Sequence, residues 1–136
     1  MAKITTLPEM WWPLMKSPSI ITPYCAVCGK TGHLEQHHLV KRSAGQLVLP
    51  NGIVAEKPTI TLCGHGNADG CHGLAHSGRL HFRWARTRYV GGTDDFYADI
   101  TGGHLEYLLT ARPVDYLTAL SRGGWRRLRK AADWGA

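Results

Sequence analysis

The stretch LCGHGNADGCHGLAH, residues 62–76, joins a predicted strand to a predicted helix through a glycine-rich loop. The residues just before Cys63 alternate in polarity and include three β-branched side chains, which indicates a strand over 59–62. Cys71 begins a segment that we predict to be a short helix over 71–77, ended by the glycine that follows. Because a cysteine stands at each end of the loop, the loop is a candidate metal-binding segment.

A second pair of cysteines lies upstream in a CxxC knuckle, which presents two thiolates from one turn. Zinc in structural sites takes four such soft ligands in a tetrahedron. The predicted ligands of one structural Zn²⁺ are Cys25, Cys28, Cys63 and Cys71. Three alternatives stay open: a pair of disulfides, which an intracellular location disfavours, four unrelated buried thiols, and replacement of one cysteine by His65.

Four histidines lie close to these cysteines in the sequence. His37 and His38 fall within a predicted strand over 34–41, where neighbouring side chains point to opposite faces and can serve separate purposes. His72 and His76 are four residues apart on the predicted helix, so they share one face, a common way to hold a divalent metal. Because the cysteine pairs pin both histidine segments, we predict that the two segments form one metal pocket.

In combination, these motifs resemble the HNH endonucleases, which belong to the ββα-metal or His-Me finger group. The motifs that carry the resemblance are Cys25-x2-Cys28-Gly29, Leu34-Glu35-x-His37-His38-Leu39-Val40, Leu62-Cys63 and Cys71-His72-x3-His76. They span residues 24–78, and the glycines around the second cysteine pair are similar to those of HNH proteins carried by bacteriophages. The resemblance implies an α+β fold, with a small ββα-metal core, a structural zinc, an N-terminal arm and C-terminal helices.

The resemblance also implies roles for the histidines. His38 matches the general base of the family, which takes a proton from the attacking water. His37 and His72 match the two positions that bind a catalytic divalent metal (Mg, Mn, Ni or Zn), and His76 matches a third histidine ligand of the colicin-like branch. Pro58 is the one departure, because the family usually has an Asn there that braces the loop carrying the base.

The net charge of +6 favours an anionic partner, and DNA is the partner that the resemblance implies. Basic residues follow the histidine pair, and others lie on the predicted strand after the helix and on the last predicted helix. The predicted DNA contacts are Lys41, Arg42, Arg79, Arg83, Arg126 and Arg127. Such residues supply affinity for the phosphate backbone without choosing a sequence, and a solvated helix face is the alternative for the last set.

The whole chain divides into three predicted segments. These are an N-terminal arm at 1–23, an HNH nuclease core with the following strand at 24–90, and a C-terminal helical extension at 91–136. Outside the core motifs, the predicted elements are a strand at 79–90, with one apolar and one basic face, and helices at 104–111, 114–121 and 125–134.

No stretch approaches the roughly 20 apolar residues of a membrane span, and the first residues lack the pattern of a signal peptide. We therefore expect a cytoplasmic protein without a membrane partner, in the host bacterial cytoplasm if it is phage-encoded. The predicted function is metal-dependent cleavage of DNA, by nicking of double strands, together with other phage DNA-processing proteins. The alternatives are a zinc-stabilised DNA-binding module without cleavage, which Pro58 favours, and a zinc-dependent interaction protein.

Overall fold

Two antiparallel sheets and few helices make up the mixed α/β structure of residues 6–86 and 103–128, the part of the chain that the computed structural model describes. The strands are β1 (Leu34–His38), β2 (Thr59–Cys63), β3 (Leu80–Arg86), β4 (Gly103–Leu109) and β5 (Arg126–Arg127). The α-helices are α1 (Gly70–His76) and α2 (Tyr116–Leu120), and short 3₁₀ helices cover Glu9–Trp11, Pro13–Lys16 and Arg42–Ala44.

The first sheet pairs β1 with β2, and α1 packs beside it. The β-branched residues of β2 suit a strand that is buried on both faces. The structure confirms the predicted strand at 59–62 and the predicted helix at 71–77 to within one residue at each end, whereas β1 stops at His38. The order of strand, strand and helix is the one that the resemblance implies, and membership of the HNH family stays a prediction.

A close backbone approach at Gly70, the first residue of α1, brings the end of β2 next to the start of the helix. Gly70 has a φ of 67°, and a Cβ atom there would lie 2.4 Å from the carbonyl oxygen of Cys63. Only glycine fits such a conformation and such an approach. This approach therefore places Cys63 and Cys71 close together.

The second sheet has the order β3-β4-β5 and is antiparallel throughout. Leu80, Phe82 and Trp84 are all buried, which confirms the apolar face of the strand predicted at 79–90. Residues 87–90 of that prediction lie outside the described part of the chain. The other face carries Arg83, which lies opposite Glu106 of β4.

Two of the predicted C-terminal helices are wrong where the structure describes them. Residues 104–111 contain leucines and a glutamate that favour a helix locally, yet β4 runs through them because pairing with β3 overrides the local preference. Residues 126 and 127 form β5 against β4 instead of a helical turn, and residues 129–134 lie outside the described part of the chain. The helix predicted at 114–121 is confirmed as the shorter α2.

The segment before the first sheet packs into the core. Leu7, Trp11 and Leu14 are buried, and the Trp11 ring stacks on Tyr116 of α2 with ring centroids 4.1 Å apart. Ile20 forms a parallel bridge with Ile60, so the segment also extends the first sheet on the free side of β2. No helix in residues 6–86 and 103–128 has the length and apolar character to cross a membrane.

Candidate metal centres

A cluster of four thiols lies where the knuckle meets the end of β2 and the start of α1. Its members are Cys25, Cys28, Cys63 and Cys71, whose sulfur atoms all lie within 4.8 Å of one another. All four cysteines are free in the structure, and the sulfurs of Cys28 and Cys63 are 3.6 Å apart, which favours a four-thiol metal site over the alternative of two disulfides. Zn–S bonds of about 2.3 Å place tetrahedral ligands about 3.8 Å from one another. The cluster can therefore hold a metal ion such as zinc.

Hydrogen bonds shape this cluster before any metal enters it. The N–H of Gly29 donates to the carbonyl of Cys25 across 2.8 Å and closes the knuckle. A hydrogen bond from the Cys71 thiol, helped by backbone N–H groups, holds the pKa of Cys25 well below its usual value. That same hydrogen bond, together with burial, raises the pKa of Cys71. The Cys25 thiolate thus forms readily, and a bound cation would stabilise the thiolates of the other cysteines.

His65 lies outside the thiol cluster. Its Nδ1 atom is 3.1 Å from Oδ1 of Asp69, and its ring stacks on His33 with centroids 4.1 Å apart. Both histidine side chains are about half exposed. The structure therefore favours Cys63 and Cys71 as the second pair of ligands and leaves His65 as a surface side chain.

Three imidazoles meet between the first sheet and α1. His37 comes from β1, His72 and His76 come from α1, and one ring nitrogen of each lies within 4.8 Å of the others. The Nε2 atoms of His72 and His76 are 3.1 Å apart. Metal–nitrogen bonds of about 2.0 Å place such ligands about 3.3 Å from one another. The group can therefore hold a divalent ion, and an all-imidazole set suits zinc or nickel better than magnesium.

The surroundings of His37 and His76 favour the neutral form of each ring. Burial, followed by the charges of His72 and His76, lowers the pKa of His37 to about 3. Burial also lowers the pKa of His76, with a further contribution from His72. A neutral imidazole keeps the lone pair that a metal needs, so His37 and His76 can each offer a ring nitrogen to a metal ion at neutral pH.

Glu35, which the sequence analysis did not single out, contacts the ring of His72. Its Oε1 atom accepts hydrogen bonds from Nδ1 of His72 at 2.7 Å and from the N–H of Gly66 at 3.0 Å. Hydrogen bonds from His33 and His72 lower the pKa of Glu35 to about 2. The sequence spacing could have pointed to Glu35, because residues two apart on a strand, such as Glu35 and His37, share a face.

His38 lies outside the three-histidine group but lines the same cavity of about 590 Å³. Partial burial lowers its pKa, and the positive charges of Arg42 and Lys57 lower it further. Lys41 and Arg42 line this cavity as well. Two cations and a neutral imidazole therefore lie beside the candidate metal position.

Lys57, also missed from the sequence, contacts the loop that follows His38. Its Nζ atom donates to the carbonyl of Lys41 at 2.6 Å and lies 3.2 Å from that of Arg42. Pro58, in place of the family's Asn, contributes its carbonyl, which accepts from the N–H of Leu39 at 2.9 Å. The loop is thus held by a lysine side chain and a backbone carbonyl.

The other predicted DNA contacts lie on or next to the second sheet. Arg83 binds Oε1 of Glu106 through Nε and a terminal nitrogen, each at 2.7 Å, and its guanidinium lies 4.6 Å from the centre of the Trp125 ring. Arg79 donates from Nε to the carbonyl of Thr110 at 3.3 Å. Arg126 and Arg127 are exposed on β5. Lys41 and Arg42 are therefore the predicted contacts that the structure brings next to the histidines.

These clusters occupy neighbouring segments of the chain, since Cys71 and His72 are consecutive residues of α1. The arrangement can hold one ion among thiolates and another among imidazoles, with His38 beside the second. No protein-family model matches the chain, and comparisons with curated proteins and with solved structures likewise find no match.

Proposed function

We propose that the chain is a metal-dependent DNA endonuclease of the HNH type, with His38 as the general base. The observation that carries the proposal is the different placement of two adjacent histidines around one cavity. His37 joins the three-imidazole group, whereas His38 stays outside it and lines the same cavity. Phosphodiester hydrolysis needs both a base for water and a positive centre for the phosphate, side by side.

Each side chain near the cavity has a role in this proposal. His38, whose lowered pKa keeps it neutral, accepts a proton from the attacking water. Arg42 and Lys41 bind phosphates of the DNA backbone. A divalent ion held by the three imidazoles would supply Lewis-acid stabilisation of the phosphate charge. Zinc in the thiol cluster would fix the loop between β2 and α1.

The test is a nicking assay on supercoiled plasmid with each of Mg²⁺, Mn²⁺, Ni²⁺ and Zn²⁺. We expect nicking by the wild type with at least one of these ions, and a loss of roughly 100-fold or more in His38→Ala. The His65→Ala variant removes an exposed imidazole outside both clusters and serves as the matched control with wild-type activity. A wild type that shifts DNA but never nicks it with any of the four ions would overturn the proposal.

That outcome would instead favour a zinc-stabilised DNA-binding module without cleavage. The specific observation behind this second candidate is Pro58, which offers the loop after His38 a carbonyl but no side-chain amide. For such a module, affinity should fall steeply with salt while the plasmid stays intact. Binding that is indifferent to salt would argue against a nucleic-acid role altogether.

A further inference from the structure

We infer that Glu35 is a positioning residue that holds the His72 ring with its Nε2 atom facing the metal position. This inference deepens the proposed function and rests on it. The carboxylate of Glu35 contacts Nδ1 of His72 at 2.7 Å. Nε2 of the same ring lies 3.1 Å from Nε2 of His76.

The contact decides which nitrogen carries the proton. A neutral imidazole has two tautomers, and a carboxylate at Nδ1 selects the one that donates from Nδ1. Nε2 of His72 then presents its lone pair to the metal position. The hydrogen bond also restricts rotation of the ring, so less freedom is lost when a metal binds.

Glu35 is itself held in place by its neighbours. The N–H of Gly66 donates to Oε1 at 3.0 Å, and Nε2 of His33 lies 3.0 Å from Oε2. Gly66 also lies against the ring, since a Cβ atom there would be 3.0 Å from Cε1 of His72. One strand therefore supplies a ligand, His37, and the carboxylate that orients the ligand on the facing helix.

Two other roles for Glu35 make different predictions. A direct ligand would belong to the metal-ligating group, but among the described residues that group consists of the three histidines. A purely structural contact between β1 and α1 would change the stability of the fold and leave the protonation pattern of His72 alone. Metal affinity and the His72 tautomer therefore distinguish the roles.

The experiment titrates Co²⁺ into the full chain carrying one equivalent of zinc, with thermal unfolding as a check of the fold. Glu35→Met keeps the bulk of the side chain and removes the acceptor, and we expect 10- to 100-fold weaker Co²⁺ binding. Glu35→Gln restores a neutral acceptor and should recover part of the loss. Glu56→Met, the same change at an exposed glutamate, is the matched control and should bind Co²⁺ as the wild type does.

Nitrogen-15 NMR of the wild type without Co²⁺ gives an independent readout that needs no variant. We expect His72 to carry its proton on Nδ1, and a proton on Nε2 would overturn the inference. Wild-type Co²⁺ affinity in Glu35→Met would also overturn the inference about Glu35. If His72→Ala loses Co²⁺ binding in the same experiment, the proposed metal site still stands. Equal Co²⁺ binding by wild type and His72→Ala would overturn both.

Discussion

The two adjacent histidines of β1 have different surroundings because neighbouring side chains of a strand point to opposite faces. His37 faces the helix, where burial is the main cause of its lowered pKa. His38 lies beside Arg42 and Lys57, whose positive charges add to the effect of partial burial. Two identical side chains thus differ through position alone, one within the three-imidazole group and one beside two cations.

At the residue scale, His37 makes stability depend on pH. Its folded pKa of about 3 lies below its usual value of 6.5, so the unfolded state takes up the proton first as pH falls. The stability that neutral His37 contributes is therefore fully present when the pH is above 6.5, and it is lost as the pH falls below the pKa of the unfolded state. Between about pH 7 and about pH 5.5, the wild type should lose about 1 kcal/mol more unfolding free energy than His37→Asn.

Urea unfolding of both proteins at each pH, with one equivalent of zinc and no second metal, measures this difference. His65→Asn, a change at an exposed histidine, should follow the wild type at every pH. Parallel curves for wild type and His37→Asn would show that burial of His37 does not control its titration.

At the scale of elements, the loop after β1 is held by a side chain from the segment that leads into β2. Lys57 donates to two successive carbonyls of this loop, those of Lys41 and Arg42. Hydrogen bonds from a charged group contribute about 1.5–3 kcal/mol. Lys57→Met should therefore slow plasmid nicking by roughly tenfold or more, with unchanged Co²⁺ affinity because the three imidazoles are untouched.

The control is Lys16→Met, which removes an exposed lysine from the N-terminal segment and should leave nicking at the wild-type rate. If Lys57→Met nicks as fast as the wild type, the lysine does not hold the loop in its active position. If it loses Co²⁺ binding as well, the change has reached the metal site and the loop is not the cause.

The elements that sequence predicted correctly are those whose signals are local. The β-branched run of β2 and the spacing of histidines on α1 need no knowledge of a partner. β4 was missed because its strand character comes from pairing with β3, where Arg83 meets Glu106. Glu35 was missed for a similar reason, since it contacts His72, 37 positions away.

At the scale of the whole molecule, the two candidate metal sites share their supporting segments. Cys71 and His72 are consecutive in α1, so any movement of one moves the other. Gly66, in the loop between Cys63 and Cys71, donates to the carboxylate that contacts His72. The thiol cluster therefore lies next to both the backbone of His72 and the loop that holds its hydrogen-bond partner.

Loss of one thiol should for this reason weaken the histidine site. Cys28 is the exposed member of the cluster, so Cys28→Ser removes a ligand with little loss of packing. We expect weaker zinc binding, a loss of about 4 kcal/mol or more in unfolding free energy and weaker Co²⁺ binding at the three imidazoles. Zinc content, urea unfolding and cobalt titration measure the three effects, and Ser77→Ala is a control outside both clusters. Wild-type Co²⁺ affinity in a zinc-free Cys28→Ser protein would show that the histidine site is organised by β1 and α1 alone.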